Sequence, residues 1–329
     1  MIIVTGGAGF IGSAIIAALN NRNVTDILVV DQLGCDQKWK NLRNLSFADY
    51  VEKDDFLEMV IEEKLDGSVE AVLHLGACSD TTETNASYLL KNNYEYTKLL
   101  AQWSTNADIR FIYASSAATY GDGSAGFSDD ENDIENLRPL NMYGYSKHLF
   151  DLWARRTGIL KKIVGLKYFN VFGPNEYHKA NMRSFCLKAF EQINSTGKVS
   201  LFKSYKPEFG DGEQVRDFIY IKDAVDMTLF FLDNPKRNGI YNIGTGRPRT
   251  WNDLVMAVFD GMRRKPNIEY IEMPDSIRNQ YQYYTCAETA KLRKAGYEKT
   301  TISLEDATKQ YVQDYLLKCG YLEGLDYSG

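Results

Sequence analysis

Short apolar runs alternate with stretches of helical spacing through the first half of the chain. Residues 2–4, 27–30, 71–75, 111–114 and 163–168 are brief, rich in β-branched and aromatic side chains, and bounded by glycine or polar residues. That is the pattern of strands buried on both faces. Between them, 11–21, 56–64, 85–104 and 143–157 place apolar residues at the spacing of a helix. The alternation predicts an α/β fold, a doubly wound parallel sheet with helices covering both faces. After Pro174 the rhythm changes. Glycine and charge dominate 198–213, which reads as a surface loop with Pro207, Gly210 and Gly212 at its most mobile part. Later segments return as mixed α/β pieces. With no repeat, low-complexity tract or linker, the second half is expected to pack against the first.

Composition narrows this picture without changing it. A chain of 329 residues, 44% of them hydrophobic, can bury a large core. Its formal charge of −6 argues against a nucleic-acid binder, which needs an excess of Lys and Arg on one face. No apolar run approaches the roughly 18 residues of a membrane span. Nothing resembling a signal peptide precedes the first strand, so the expected location is cytoplasmic. Cys35, Cys78, Cys186, Cys286 and Cys319 form no CxxC pair and suit a reducing compartment. His74, His148 and His178 are too scattered to suggest a metal site.

The first chemical signal is Thr5-Gly6-Gly7-Ala8-Gly9-Phe10-Ile11-Gly12, between a predicted strand and a predicted helix. Gly6, Gly9 and Gly12 permit a tight turn, close backbone approach to a pyrophosphate and close helix–strand packing. The helix N-terminus then offers free N–H groups and a positive dipole end to the phosphates. At the opening of a strand–helix–strand unit this reads as a Rossmann dinucleotide site. Asp31 ends the second strand 19 residues past Gly12, where a carboxylate usually accepts from a ribose 2′-hydroxyl and favours NAD. Lys38 and Lys53 lie just beyond this strand and the next; they are either solvated surface charges or the counter-charge that a 2′-phosphate would need.

Two further segments form a catalytic candidate. Ser116 closes a predicted strand within Ala114-Ser115-Ser116-Ala117-Ala118-Thr119-Tyr120-Gly121, and Tyr143-Gly144-Tyr145-Ser146-Lys147 opens a predicted helix. Tyr143 and Lys147, four apart, share a helix face. An ammonium beside a phenol is expected to lower its pKa from about 10 toward neutrality, so that Tyr143 can act as acid or base. Ser116 can hold a substrate hydroxyl in line.

Taken together, the glycine turn, Ser116, and Tyr143 with Lys147 resemble the extended short-chain dehydrogenase/reductase family, Rossmann enzymes that mostly act on nucleotide-diphosphate sugars. Arg216-Asp217-Phe218-Ile219-Tyr220-Ile221-Lys222-Asp223 and Asn242-Ile243-Gly244-Thr245-Gly246 are similar to its distal motifs, so the resemblance covers nearly the whole chain. Gly76-Ala77-Cys78-Ser79, and His178-Lys179 after Gly173-Pro174, resemble the branch that inverts C6″ of a nucleotide-bound heptose.

Carried over residue by residue, the resemblance implies NADP contacts at Phe10, Ile11, Asp31, Gln32, Lys38, Lys53, Leu75, Gly76, Ala77, Cys78, Ser79, Asn92, Lys147, Val171 and Lys179. It implies Tyr143 and Lys179 as two acid/base groups, with Ser116 and Lys147 assisting. Substrate contacts are implied at Ser116, Asn170, Asn181, Lys188, Phe202, Lys203, Ser204, Tyr205, Arg216 and Tyr281. Three positions depart from the pattern: Leu75 stands where glutamate is common, Asn181 where serine is expected, and Lys188 where histidine is expected. The expected division is an NADP-binding Rossmann domain over 1–169, to which segments near 220–246 return, and a smaller mixed α/β substrate-binding domain over 170–329. An ADP-heptose substrate, NADP (or NAD) as cofactor, and a homo-oligomer, in that branch a ring of five, follow from the same resemblance.

The implied chemistry is transient oxidation of one sugar carbon followed by hydride return to its other face. Lys179 then needs desolvation or a neighbouring cation to act as a base near neutral pH. Dehydration is disfavoured, because Ala117 and Ala118 stand where dehydratases of the family carry an Asp-Glu pair. Arg216 either grips a diphosphate in a fork or pairs with Asp217 or Asp223. Tyr220, Tyr241 and the four tryptophans read as packing residues, and Cys78 as a small buried residue without an activated thiolate. The competing readings are a 4-epimerase or reductase acting on another nucleotide sugar, and a non-catalytic NADP-binding protein.

Overall fold

The computed structural model describes residues 1–65, 67–278 and 281–324. The strands in chain order are β1 (Ile2–Thr5), β2 (Ile27–Asp31), β3 (Asp49–Glu52), β4 (Ala71–His74), β5 (Arg110–Ser116), β6 (Val164–Tyr168), β7 (Asn170–Phe172), β8 (Val199–Phe202), β9 (Val215–Arg216), β10 (Phe218–Tyr220), β11 (Gly239–Ile243), β12 (Arg249–Thr250) and β13 (Ile268–Ile271). The helices used below are α1 (Phe10–Asn20), α2 (Lys53–Ile61), α3 (Ala86–Leu89), α4 (Tyr96–Asn106), α5 (Met142–Arg156), α6 (Phe185–Thr196), α7 (Ile221–Asp233) and α8 (Trp251–Gly261).

Seven strands make one sheet in the order β11-β6-β5-β4-β1-β2-β3, and all of its pairings are parallel. Strand order therefore reverses between β1 and β4, and the crevice at their C-terminal ends is where ligands of doubly wound sheets bind. The pleat sends alternate residues to opposite layers. Val4, Val29, Leu73, Ile112 and Leu166 meet Ile15 and Ile16 of α1 and Val225 and Leu229 of α7. Ile3, Leu28, Val72 and Phe111 meet Phe56 of α2, Leu100 of α4 and Phe150 and Ala154 of α5. The sheet, with helices on both faces, is the α/β Rossmann architecture read from the sequence.

Beyond β6 the chain builds small two-stranded pieces: β7 with β10, β9 with β12, and β8 with β13. The segment 198–213 is thus not loop throughout, since β8 pairs in parallel with β13; its partner lies some seventy residues away, so local pattern carries no sign of it. Edge strand β3 escapes the apolar-run criterion because its Asp-Tyr-Val-Glu is polar and half-exposed. The helix predicted over 85–104 runs without a gap, with a π-helical segment, Leu90–Glu95, between α3 and α4. Trp39 is 51% exposed rather than packed; it projects from the short turn Lys38–Asn41, whose one buried residue is Asn41. Among the described residues no helix is long and apolar enough to cross a membrane.

Phe150 is 1% exposed, and its ring lies 4.6 Å from that of Tyr113 and 5.4 Å from that of Trp153. Phe150→Ala should lower unfolding stability by about 3–5 kcal/mol in urea titrations. A loss below about 1 kcal/mol would mean that α5 is not anchored there.

Candidate active site

The turn from β1 into α1 is built on close backbone contact. Gly6 has φ +66°, and a Cβ placed on Gly12 would lie 2.1 Å from the Gly6 carbonyl oxygen. Gly9 caps α1 without a side-chain hydrogen bond, and no acidic residue stands in the first turn. The first amides of α1 (Phe10, Ile11 and Gly12) thus open onto the crevice with no helical acceptor. Opposite them, Leu75 N donates to Thr5 O at 3.0 Å and Gly76 N to Thr5 Oγ1 at 3.2 Å. This holds Leu75, Gly76, Ala77, Cys78 and Ser79 beside the turn. A narrow, glycine-lined cradle at a helix N-terminus fits the diphosphate of a dinucleotide.

Asp31 is 8% exposed and fully engaged. Its Oδ2 accepts from Ala8 N at 2.9 Å; its Oδ1 accepts from Gln32 N at 2.7 Å and from Lys38 Nζ at 2.8 Å. The carboxylate therefore closes the glycine turn and carries its own counter-charge. Lys53 Nζ donates to Asn92 Oδ1 at 2.9 Å, linking the start of α2 to the π-helical segment.

Ser116, Tyr143 and Lys147 come together at the end of β5. Asn141 caps α5, accepting from Gly144 N at 2.7 Å. A Cβ on Gly144 would lie 2.7 Å from Ala118 O, so α5 begins in backbone contact with the turn that follows Ser116. Ser116 Oγ accepts from Ala118 N at 3.1 Å and lies beside the Tyr143 phenol. Lys147 is 4% exposed, with Nζ donating to Ala114 O at 2.8 Å. Burial lowers its pKa to about 8, with Asp151 opposing. The expected fall of the Tyr143 pKa is not found. Burial raises it, while the Ser116 hydroxyl pulls it back. Lys147 turns its ammonium to the β5 carbonyl, and desolvation of the phenol outweighs any gain from the helix neighbour.

A second cluster lies on the loop after β7, the strand that holds Asn170 and Val171. The Lys179 ammonium sits 5.3 Å from the centre of the Phe10 ring at the mouth of α1. Its pKa is lowered by burial, raised by Glu176 and lowered by Lys188, so both conditions for a basic lysine are present. Lys188 Nζ donates to Asn181 O at 2.6 Å. Between them Ala180 holds φ +44° and ψ −119°, a conformation that favours glycine.

Arg216 lies in an aromatic cage. It is 7% exposed, 5.4 Å from the Trp251 ring centre and 5.2 Å from that of Tyr281, whose hydroxyl accepts from Trp251 Nε1 at 2.9 Å. The Phe202 ring meets Tyr281 edge-on at 6.4 Å. Neither proposed carboxylate partner is used. Asp217 accepts from Thr245 N at 2.8 Å, Gly246 N at 2.9 Å and Ala287 N at 3.0 Å, and Asp223 from Ile302 N at 3.0 Å. Lys203 and Tyr205 turn outward to Glu272, and Ser204 N donates to Asp211 at 2.7 Å. Trp251, expected only in packing, therefore belongs to the Arg216 cage; no local spacing relates the two. Tyr220 and Tyr241 are buried. Cys78 is half-buried, its thiol pKa raised chiefly by burial.

The model of the NAD dependent epimerase/dehydratase family matches residues 2–244. The chain belongs to this family, whose members use a nicotinamide cofactor. It is 54% identical over 316 residues to the ADP-L-glycero-D-manno-heptose-6-epimerase of Nitratidesulfovibrio vulgaris strain Hildenborough, covering 96% of this chain and 98% of that one. To the protein of the same name from Fusobacterium nucleatum it is 48% identical, over 97% of this chain and 98% of the relative. The crystal structure of the Helicobacter pylori ADP-L-glycero-D-manno-heptose-6-epimerase superposes with a TM-score of 0.77 at 28% identity, covering 95% of each chain.

Ala180→Gly should relieve the strained loop and stabilise the protein by about 0.5–1 kcal/mol in thermal unfolding. A destabilised variant would show that the loop does not hold this conformation.

Proposed function

We propose that this chain interconverts ADP-D-glycero-D-manno-heptose and ADP-L-glycero-D-manno-heptose by epimerisation at C6″. The observation that carries this reading is 54% identity, across nearly the full length of both chains, to a relative of that name. The product would serve as a precursor of the lipopolysaccharide core, made in the cytoplasm by a homo-oligomer of five subunits. Residues 1–169, with the return near 220–246, hold the dinucleotide in this reading, and 170–329 mainly hold the sugar nucleotide.

The chemistry supplied by the bound nicotinamide is reversible hydride acceptance at C6″. The chain's residues do the rest. Ser116 orients the C6″ hydroxyl. Tyr143, which must first give up its own proton against the effect of burial, takes the hydroxyl proton as phenolate while the carbon becomes a planar ketone. Lys147, held on Ala114 O one helical turn from Tyr143, supplies the positive charge that favours this phenolate. Inversion needs the carbonyl to present its second face, where its oxygen meets a different proton donor. Lys179, with its pKa lowered by burial, takes that role. Arg216, Tyr281 and Phe202 hold the nucleotide diphosphate end, and Asn170, Asn181 and Lys188 hold the sugar.

NADP is the preferred cofactor in this reading. A free Asp31 carboxylate would repel a 2′-phosphate, but Lys38 neutralises it at 2.8 Å, and Lys53 adds a second cation nearby. Lys38→Ala should weaken NADP binding by about tenfold relative to NAD, measured by titration of the cofactor-free protein. Unchanged selectivity would assign the preference elsewhere.

Incubation with ADP-D-glycero-D-manno-heptose and separation of the two C6″ epimers tests the reaction itself. An equilibrium mixture without net NADPH consumption is expected, whereas stoichiometric oxidation of NADPH would identify a reductase. Tyr143→Phe and Lys179→Met should each reduce kcat by about 100-fold or more. Near-normal turnover in both would end the two-base scheme.

A further inference from the structure

Beneath Ser116 and Tyr143 lies a charged pair that the reaction itself does not touch. Asp151, on α5 one turn past Lys147, and Lys167, near the C-terminal end of β6, are 0% and 1% exposed, with Lys167 Nζ 3.5 Å from Asp151 Oδ2. A buried ion pair is a poor stabilising device, because well-packed apolar residues of similar volume often serve a fold as well or better. Its other contacts show what it is built around. Asp151 accepts from Tyr113 OH and Ser115 Oγ, both at 2.8 Å, and Ser115 directly precedes Ser116. Lys167 Nζ donates to Thr119 Oγ1 at 2.7 Å, and that hydroxyl donates to Ser116 O at 2.8 Å. The ammonium also lies 4.4 Å from the ring centre of Tyr120. These contacts all end on β5, on the turn Ala117–Tyr120 that follows Ser116, or on the helix that carries Tyr143 and Lys147.

We propose that Asp151 and Lys167 are positioning residues: together they lock β5, the Ser116 turn and α5 in one register, and the Asp151 carboxylate, shared with Lys167, supplies the negative charge one helical turn from the Lys147 ammonium. The proposal rests on Ser116, Tyr143 and Lys147 being the reacting groups. Facing Lys147 are Asp151 and Tyr143 from its own helix, His74 from β4 and Cys78 from the strand end beyond. His74 is held neutral, its pKa lowered to about 3 by burial, and burial raises the Cys78 thiol. Asp151 is therefore the anion of this set. Around Asp151 stand Lys167, Tyr113 and His148, while Asp129 and Lys291 face Lys167 from its far side.

Two measurements on the cofactor-loaded protein test this. The first needs no substrate: competitive acetylation with acetic anhydride, read peptide by peptide from about pH 6 to about pH 11, follows the Lys147 amine alone. Asp151→Asn should move its titration midpoint down by about one pH unit, while Asp151→Glu, which keeps the charge, should stay near the wild-type value. Asp151→Asn leaves Lys167 buried and unpaired. Should it fail to fold, the double variant Asp151→Asn/Lys167→Met, which removes both charges, carries the same test and should still show a lowered midpoint. The second measurement is the pH profile of epimerisation. Losing the ammonium at lower pH should shift the alkaline limb of kcat downward and cut kcat near pH 8 by about fivefold, with KM little changed. A structural pair would lower Tm and leave both the midpoint and the limb in place, and that outcome overturns the proposal. If wild-type protein fails to epimerise ADP-heptose, the reading of the reaction falls, while the acetylation midpoint still decides the role of Asp151.

Discussion

A lysine ammonium enclosed by protein is the feature around which this site is organised. Taking such a charge out of water costs several kcal/mol unless anions and hydrogen-bond acceptors surround it. Lys147 has one backbone acceptor, Ala114 O, and one carboxylate a helical turn away. The surrounding structure follows from meeting that need. The Asn141 cap and Gly144 let α5 start hard against the Ser116 turn. Helical spacing then places Tyr143, Lys147 and Asp151 on one face, and β6 delivers Lys167 to the other side of the same carboxylate.

The sheet sets the second half of the geometry. Reversal of strand order between β1 and β4 opens one crevice, and the contact of Gly6 with Gly76 makes it narrow enough for backbone to approach phosphate. The cation at Lys179 stands over Phe10 at the mouth of the same crevice, and Arg216 waits in its aromatic cage farther out. In the proposed reading, a sugar nucleotide held by Arg216 places its sugar near Tyr143 and Lys179, the two proton donors that the inversion requires.

Much of this was legible in the sequence because it is local. The parallel sheet shows in short apolar runs, the dinucleotide cradle in glycine spacing, and the Tyr143–Lys147 face in a four-residue interval. What escaped depends on distant partners. Trp251 reaches Arg216 only through the pairing of β9 with β12, and β8 is a strand because of β13. Asp151 carried a readable signal, since it continues the Tyr143–Lys147 spacing by one more turn, but its partner Lys167 sits on another strand amid apolar neighbours. The direction of the Tyr143 pKa shift was beyond spacing altogether, because it turns on how far the phenol is desolvated and on where the lysine points.

The mechanism is tested by ADP-D-glycero-D-manno-heptose carrying deuterium at C6″. Oxidation and reduction within one closed site return the same hydride to the same carbon. The L-glycero product formed in ordinary water should therefore keep its deuterium, and unlabelled substrate turned over in deuterium oxide should take up none at C6″. Washout of the label into solvent would mean that the carbon is inverted by proton removal, and transient oxidation would have to be abandoned.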